Sequence, residues 1–574
     1  MTGTQSASGS FVKWGGDDAV TPGDGGWDMV CRPGGNSSLC VGCNDKKCMC
    51  YEAYVESLNN AQGICNAVLL DSVERLSQRG ATGKNSLSLT QQGADTTLVV
   101  TNPLAVKRRE LVSAAMPTKS ALGGGANPRA EFAATDVAVV DASSGEVLTA
   151  QLSTDGKQIF FVAELPPLAF ATYVLSIDGK KKSKTVKTTE SGAANARLGP
   201  LRFDAKGSLA SWAGQKFEVS HMVYKTNVGG PYCLIELNAA AEISGPVTSR
   251  LFAGPLFSEV RSTQAFGDAA FGRKKPELVM TLRVLEKELM NIIRVEHSAP
   301  VLPWDTELVA RIRAPSIKNN DLLHDDSGFE AYAKPRNNTL PISGQYHALV
   351  QSASIKDEQM QLSILSQHTK GVASLTAGEV EYMMARRISG TDDQGPVSSA
   401  ACAGAAGAAD AAADHQCSSV QWPLNETEPL SMPMAWLMAA PAQAEALRVV
   451  TAVQLENPPI VMYAKAPPPK LLASAPLLEL PAGVQILHLH RSLQPGKSGE
   501  SGVNGKSGKS GKLSVVIRLQ NVIPKPAGET ARIPSIRALI KGKHAVKCKE
   551  LTLFLDQERG ANEVKSMNDP SRCV

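Results

Sequence analysis

Four short stretches carry residue types that could do chemistry. "GGDDAVTPG" sets Asp17 beside Asp18 between glycines, and "LLHDDSGFE" sets His324 beside Asp325 and Asp326. Adjacent carboxylates of this kind can trade protons or hold a cation. "ISGTDDQGP" repeats the acidic pair at Asp392 and Asp393, and "LHLH" spaces His488 and His490 two apart. Side chains two apart on a strand share a face, so those histidines could share a metal ion. The surroundings favour plainer readings. Gly, Ser and Pro flank the Asp pairs at 325–326 and 392–393, as in polar turns. No third ligand stands near the two histidines, which read as outward polar positions of a strand.

The cysteines raise a second possibility. Of 11, five crowd into Cys31, Cys40, Cys43, Cys48 and Cys50. "CVGC" and "CMC" suggest a zinc knuckle, but the "CMC" spacing is poor for a structural pair, and the first histidine is His221. Disulfides or an unstructured insert are the better reading. Cys402 and Cys417 bracket an Ala-rich segment and could close a loop in an oxidising compartment.

The elements that must position these residues are mostly strands. The chain has 574 residues, 43% hydrophobic and 20% charged, enough for several cores and about four domains. A net charge of +4 without basic runs interleaved with aromatics excludes a nucleic-acid partner. No apolar run is long enough to span a membrane. The N-terminus lacks the apolar stretch of a signal peptide. Three sequons, at Asn36, Asn337 and Asn425, point the other way, to glycosylation in a secretory lumen.

Residues 1–50 show no periodicity and read as an irregular Cys/Gly-rich segment. Apolar spacings of three and four across 51–82 predict a helical segment. Period-two alternation then takes over. It predicts a small β domain over 83–190, with turns at Ser-Gly and Asp-Gly steps, and a large β-sandwich over 191–397, with a turn at Lys206-Gly207. The stretch 275–295 fits both periods, and its neighbours favour strands. An Ala-rich insert covers 398–418. A C-terminal β domain covers 419–574, with a flexible 494–512 loop whose flanking strands could pair as a hairpin. The predicted class is mainly β: a short helical segment, then several antiparallel sandwich domains. There is no nucleophile elbow, phosphate loop or dinucleotide fingerprint. The residues alone predict a multi-domain β protein without a self-contained active site.

The order of segments adds a resemblance. "LVVTNPLAVKRRELV", "LPPLAFATYVLS", "LRFDAKGSLASW" and "GPYCLIEL" precede "GEVEYMMARRISGTDDQG", with Glu379, Glu381, Arg386, Arg387, Asp392, Asp393 and Gly395 in fixed order. From about 51 to 560 the chain resembles the α-mannosidases of glycoside hydrolase family 38, the lysosomal and Golgi branches above all. The 51–82 segment then resembles the end of a three-helix bundle. The resemblance implies hydrolysis of terminal α-mannosides of glycans by two carboxylates, with retention, beside a zinc ion that clamps sugar hydroxyls. In that family the nucleophile, the acid and most zinc ligands lie in an N-terminal domain whose motifs have no counterpart here.

The expectation is therefore a C-terminal half that is inactive alone, binds no zinc itself, and partners an N-terminal catalytic domain of the same protein and mannose-containing glycans. By resemblance, Tyr232 and one or both of Arg386 and Arg387 approach the mannose pocket; an ion pair with a neighbouring acid is the alternative for the arginines. Asp17 and Asp18 match a family histidine that binds zinc and an aspartate that contacts substrate, and neither is expected to bind zinc in this chain. Asn337 coincides with a sequon of lysosomal relatives, which implies a lysosomal, vacuolar or Golgi lumen. Two departures are Ser327, where the family has Asn, and the lack of a match to the family's last strand after Met567. A stand-alone carbohydrate-binding or scaffold protein is the alternative function. An incomplete reading frame, with 1–50 partly translated non-coding sequence, is a third reading.

Overall fold

The computed structural model describes residues 95–116, 133–177, 182–225, most of 234–266, 276–286, nearly all of 291–326, 331–387, 429–464, Leu480, 484–493 and 513–521, with a helical stretch within 58–68. Asp17, Asp18, Asp392, Asp393 and every cysteine except Cys65 lie outside the described residues. The fold is mainly β, in several antiparallel sheets. Two compact units divide the chain: one holds 188–456 and the other 77–187 with 457–574; the first also takes in residues up to Leu76.

In the smaller unit a five-stranded sheet runs Ile460–Ala464, Asp95–Thr101, Phe170–Ser176, Ala138–Asp141 and Val147–Leu148. A second sheet pairs Arg108–Ala115 with Gln158–Leu165 and continues through Ala150–Leu152 to Thr185–Lys187, whose pairing is parallel. Alternation turns Leu98, Val100, Val112, Ile159, Phe161, Tyr173 and Leu175 into one core. Each fully buried side chain of this size contributes ~1.5–3 kcal/mol. Gly145 and Gly156 take left-handed φ of 74° and 66° at the Ser-Gly and Asp-Gly turns that the sequence marks. In the same unit Val484–Leu493 and Leu513–Asn521 pair as the expected hairpin.

The larger unit is a sandwich. Its six-stranded sheet runs Ala241–Glu242, Glu218–Lys225, Thr306–Arg313, Glu379–Arg387, Lys370–Ala373 and His347–Leu349. The ten-stranded sheet runs from the edge strand Ala331–Pro335 through Leu322–Asp326, Ser352–Lys356, Gln361–Ser366, Leu430–Ala439, Ile292–Ala299, Glu277–Leu285, Phe257–Ala265 and Val247–Ala253 to Thr189–Gly192. The ambiguous 275–295 stretch is thus strand on both sides of its turn. Leu308, Ala310, Ile312, Val380 and Tyr382 from one sheet meet Leu282, Val295, Ile364 and Trp436 from the other. The Lys206-Gly207 turn is present, with Gly207 at φ 80°; a Cβ there would stand 2.9 Å from that of Ser249.

One helix, Pro441–Glu456, covers the outer face of the ten-stranded sheet with Ala444, Ala452 and Leu455 against Ile292, Leu365 and Leu437. The period-two reading of 419–574 misses it. "PAQAEALRVVTAVQLE" starts with Pro, which suits a first helical position, and is rich in Ala, Gln, Glu and Leu, all strong helix formers.

Candidate functional site

The outer face of the six-stranded sheet carries an ionic ladder. On Thr306–Arg313 the inward residues Leu308, Ala310 and Ile312 alternate with Glu307, Val309, Arg311 and Arg313. The neighbouring Glu379–Arg387 strand sets Glu379 opposite Arg313, Glu381 opposite Arg311 and Arg386 opposite Glu307. Glu381 and Arg386 are five apart, so plain alternation would send them to opposite faces. The register shifts between Leu308 and Val309, where Met384 is the extra residue. This bulge returns Arg386 to the face of Glu381.

Glu381 is saturated. Its Oε1 accepts from the Tyr224 hydroxyl at 2.7 Å and from the Tyr346 hydroxyl, and its Oε2 accepts from Arg311 Nε at 2.7 Å and Nη2 at 2.6 Å. Arg313 Nε donates to Glu379 at 2.8 Å. Arg386 Nε donates to Glu307, and both side chains are 2% exposed. The Arg387 Nη1 donates to the Leu302 carbonyl at 2.8 Å.

Met222, Tyr224, Leu234, Val309 and Met383 cluster where Tyr224 meets Glu381, with Ile342 and Tyr346 packed on them, while Arg313 at the other end stays half exposed. Tyr346 closes in because residue 371 is Gly: a Cβ there would meet Met383 Sδ at 2.5 Å and Tyr346 Cδ1 at 3.2 Å.

Burial drives the proton affinities. It pushes the Tyr346 phenol well above its usual range, and the charge of Glu381 adds to this. Burial also raises Glu307 despite the opposing pull of Arg386. Burial works against a charged Arg311, but Glu381 and Glu379 outweigh it and raise that guanidinium.

A carboxylate with four donors has no lone pair to spare for a proton transfer or a metal ion. The ladder therefore holds the sheet and the 342–346 segment in place. Among the described residues no group of three or more His, Cys, Asp or Glu is placed to hold a metal ion.

Of the residues singled out by sequence, Arg386 is in an ion pair with Glu307, the alternative raised for the arginines. Asp18, Tyr232, Asn36 and Asn425 lie outside the described residues. Asn337 sits in an exposed turn whose Oδ1 accepts from Thr339 N at 3.0 Å and Thr339 Oγ1 at 2.6 Å. His324, Asp325 and Asp326 form no turn. They lie on the Leu322–Asp326 strand, paired on both sides. Asp326 is buried against Arg448 of the helix, and burial, then Lys356, pushes His324 below its usual range. A strand wins over a turn here because the buried Arg448 neutralises the carboxylate that would otherwise demand solvent. His488 and His490 lie on the Val484–Leu493 strand.

Sequence reasoning gave no role to Tyr224, Tyr346 or Glu307. The signal available was the alternation of Arg311 and Arg313 against Glu379 and Glu381, two strands of opposite charge.

No family model matches the chain. It is similar to human "Alpha-mannosidase 2", 23% identical over 333 residues that cover 52% of this chain and 28% of the relative. It is also similar to mouse "Lysosomal alpha-mannosidase", 30% identical over 100 residues, 16% of this chain and 10% of the relative. The crystal structure of an α-mannosidase from Enterococcus faecalis V583 matches with a TM-score of 0.51 and 11% identity, over 77% of this chain and 54% of that one. That likeness defines the class of fold, an antiparallel β assembly shared with a glycosidase chain. These similarities to α-mannosidases agree with the resemblance carried by the order of sequence segments. The chain spans 28% or less of the two curated relatives' lengths.

Proposed function

We propose that the chain is the β portion of an α-mannosidase that acts on terminal α-mannosides of glycans, and that it supports and completes a substrate pocket whose nucleophile, acid and zinc are supplied by an N-terminal catalytic domain. The reading rests on similarity to α-mannosidases across half of the chain. The saturated Glu381 and the paired Glu307 agree with it, since neither is free to attack or protonate a glycoside. Zinc, as in the full-length family, would be held by that domain. Asp18, Tyr232, and Arg386 or Arg387 are the proposed contacts to mannose. Arg386 is buried against Glu307, which leaves the half-buried Arg387 as the arginine better placed for that contact. Lysosomal relatives and the turn at Asn337 support a secretory-pathway lumen, lysosomal, vacuolar or Golgi, with glycans at Asn36, Asn337 and Asn425.

The test is an assay of the purified chain on an aryl α-mannoside with zinc present. No turnover above background is expected, and turnover restored by adding a family 38 catalytic domain would support the division of labour. Hydrolysis by the chain alone would overturn it. Binding of mannosides by the chain alone, with no gain from a catalytic domain, would instead favour a carbohydrate-binding or scaffold protein.

A further inference from the structure

Between the two sheets of the larger unit lies a cluster of basic side chains that the reading above does not use. His221 comes from the Glu218–Lys225 strand, His297 from Ile292–Ala299 and Lys370 from Lys370–Ala373, and they are 6%, 0% and 3% exposed. The two imidazole rings meet edge to face, 5.6 Å between centroids. His221 Nδ1 shares a hydrogen bond of 3.3 Å with Gln264, and His297 Nε2 one of 2.6 Å with the Tyr382 hydroxyl. The other ring nitrogens, His221 Nε2 and His297 Nδ1, have no partner, nor has Lys370 Nζ.

The neighbours offer no counter-charge to the histidines. The Phe257–Ala265 strand presents Gln264, Glu379–Arg387 presents Tyr382, and Leu430–Ala439 presents Trp436. Met280 and Met432 flank His297 in the adjacent strands. The acid that acts on the cluster is Glu307, which acts on Lys370 and is already held by Arg386.

We infer that this His221–His297–Lys370 cluster makes the stability of the sandwich pH-dependent: its interior takes no further proton without loosening the two sheets, so the fold is firmest near neutral pH and weakens as the pH falls. A second positive charge beside His297, with no carboxylate in contact, has to be reached by water, and water enters only where the sheets part. Burial pushes His221 down to about 4, and burial, then His221 and Lys370, pushes His297 well below its usual range. Burial pushes Lys370 down to about 7. Both imidazoles have folded values below the unfolded 6.5. The unfolded chain therefore binds more protons, and stability is full above 6.5 and falls as the pH drops toward about 4. Lys370 has a folded value of about 7 against 10.5 unfolded, so its burial penalty is complete below 7 and fades above it. The inference does not rest on mannosidase activity.

The experiment is thermal unfolding of the full chain, followed by circular dichroism from pH 8 to pH 4, for wild type, His221→Gln, His297→Gln and Lys370→Met. Wild type is expected to lose melting temperature mainly below pH 6.5, with a roughly twofold shallower loss in either histidine variant. Lys370→Met is expected to melt higher than wild type at every pH below 7. Equal slopes in all four proteins would overturn the inference. Where a variant does not fold, the imidazole proton signals of wild type decide. Rings of His221 and His297 that stay silent until the fold opens support it; rings that titrate near 6.5 in the folded chain overturn it. Failure of the mannoside assay leaves these curves unaffected, so the two readings are tested separately.

Discussion

Arg386 and Glu307 stand opposite each other on neighbouring strands, joined by a hydrogen-bonded ion pair that water does not reach. The pair exists only because the register slips between Leu308 and Val309. Removing one partner strands a charge in a sealed site. Arg386→Met is therefore expected to cost about 3–5 kcal/mol in urea unfolding, and Arg386→Met with Glu307→Gln to recover much of it. A single substitution costing no more than the double would show that the pair is not what holds the two strands.

Tyr346 reaches Glu381 over the flat surface left by Gly371. Tyr346→Phe removes one of four donors to a fully buried carboxylate, and the expected loss is about 1–3 kcal/mol. Ultraviolet titration should show that this phenol stays protonated well above pH 10 in wild type. Unchanged stability in Tyr346→Phe would mean that the Tyr224 and Arg311 bonds suffice.

Arg448 ties the Pro441–Glu456 helix to the sheet. Its Nη1 donates to Asp326 and, at 2.8 Å, to Ser352, while Nη2 donates to Glu445 at 2.7 Å. Arg448→Leu is expected to destabilise by about 3–5 kcal/mol, because Asp326 is left buried without its counter-charge. Hydrogen exchange should rise first in the 441–456 helix. Uniform exchange across the unit would instead mark the helix as inseparable from the sandwich.

Asn337 is poised for modification: the Thr339 hydroxyl and N–H both hold its Oδ1, which leaves the amide nitrogen outward. Chain secreted from a glycosylating host should carry a glycan there, seen as a mass increase on the 337 peptide. Thr339→Ala should abolish it without changing the fold. An unmodified peptide in wild type would remove this site from the proposal.

Much of the fold was legible because strand character is local. Alternation in "TELVARIR" and "EVEYMMARR" and turn glycines at 145, 156 and 207 need no distant information. The order of Glu379, Glu381, Arg386 and Arg387 carried the family resemblance in the same way. The helix at 441–456 was missed because a period-two reading was carried across it against its propensity. The ladder was half legible: opposite charges on two strands are visible in the sequence, but the bulge that aligns Arg386 with Glu307 is not.

By itself the sequence determined the β class, the resemblance to α-mannosidases and the residue types that face outward. Only the tertiary structure decided which strands meet. Leu430–Ala439 inserts between Ile292–Ala299 and Gln361–Ser366, and Ile460–Ala464 returns to pair with Asp95–Thr101. Many strands here share one apolar pattern, so alternation cannot choose among partners. That choice is made by burying side chains distant in sequence against one another, where Tyr346 finds Glu381 and His221 finds His297.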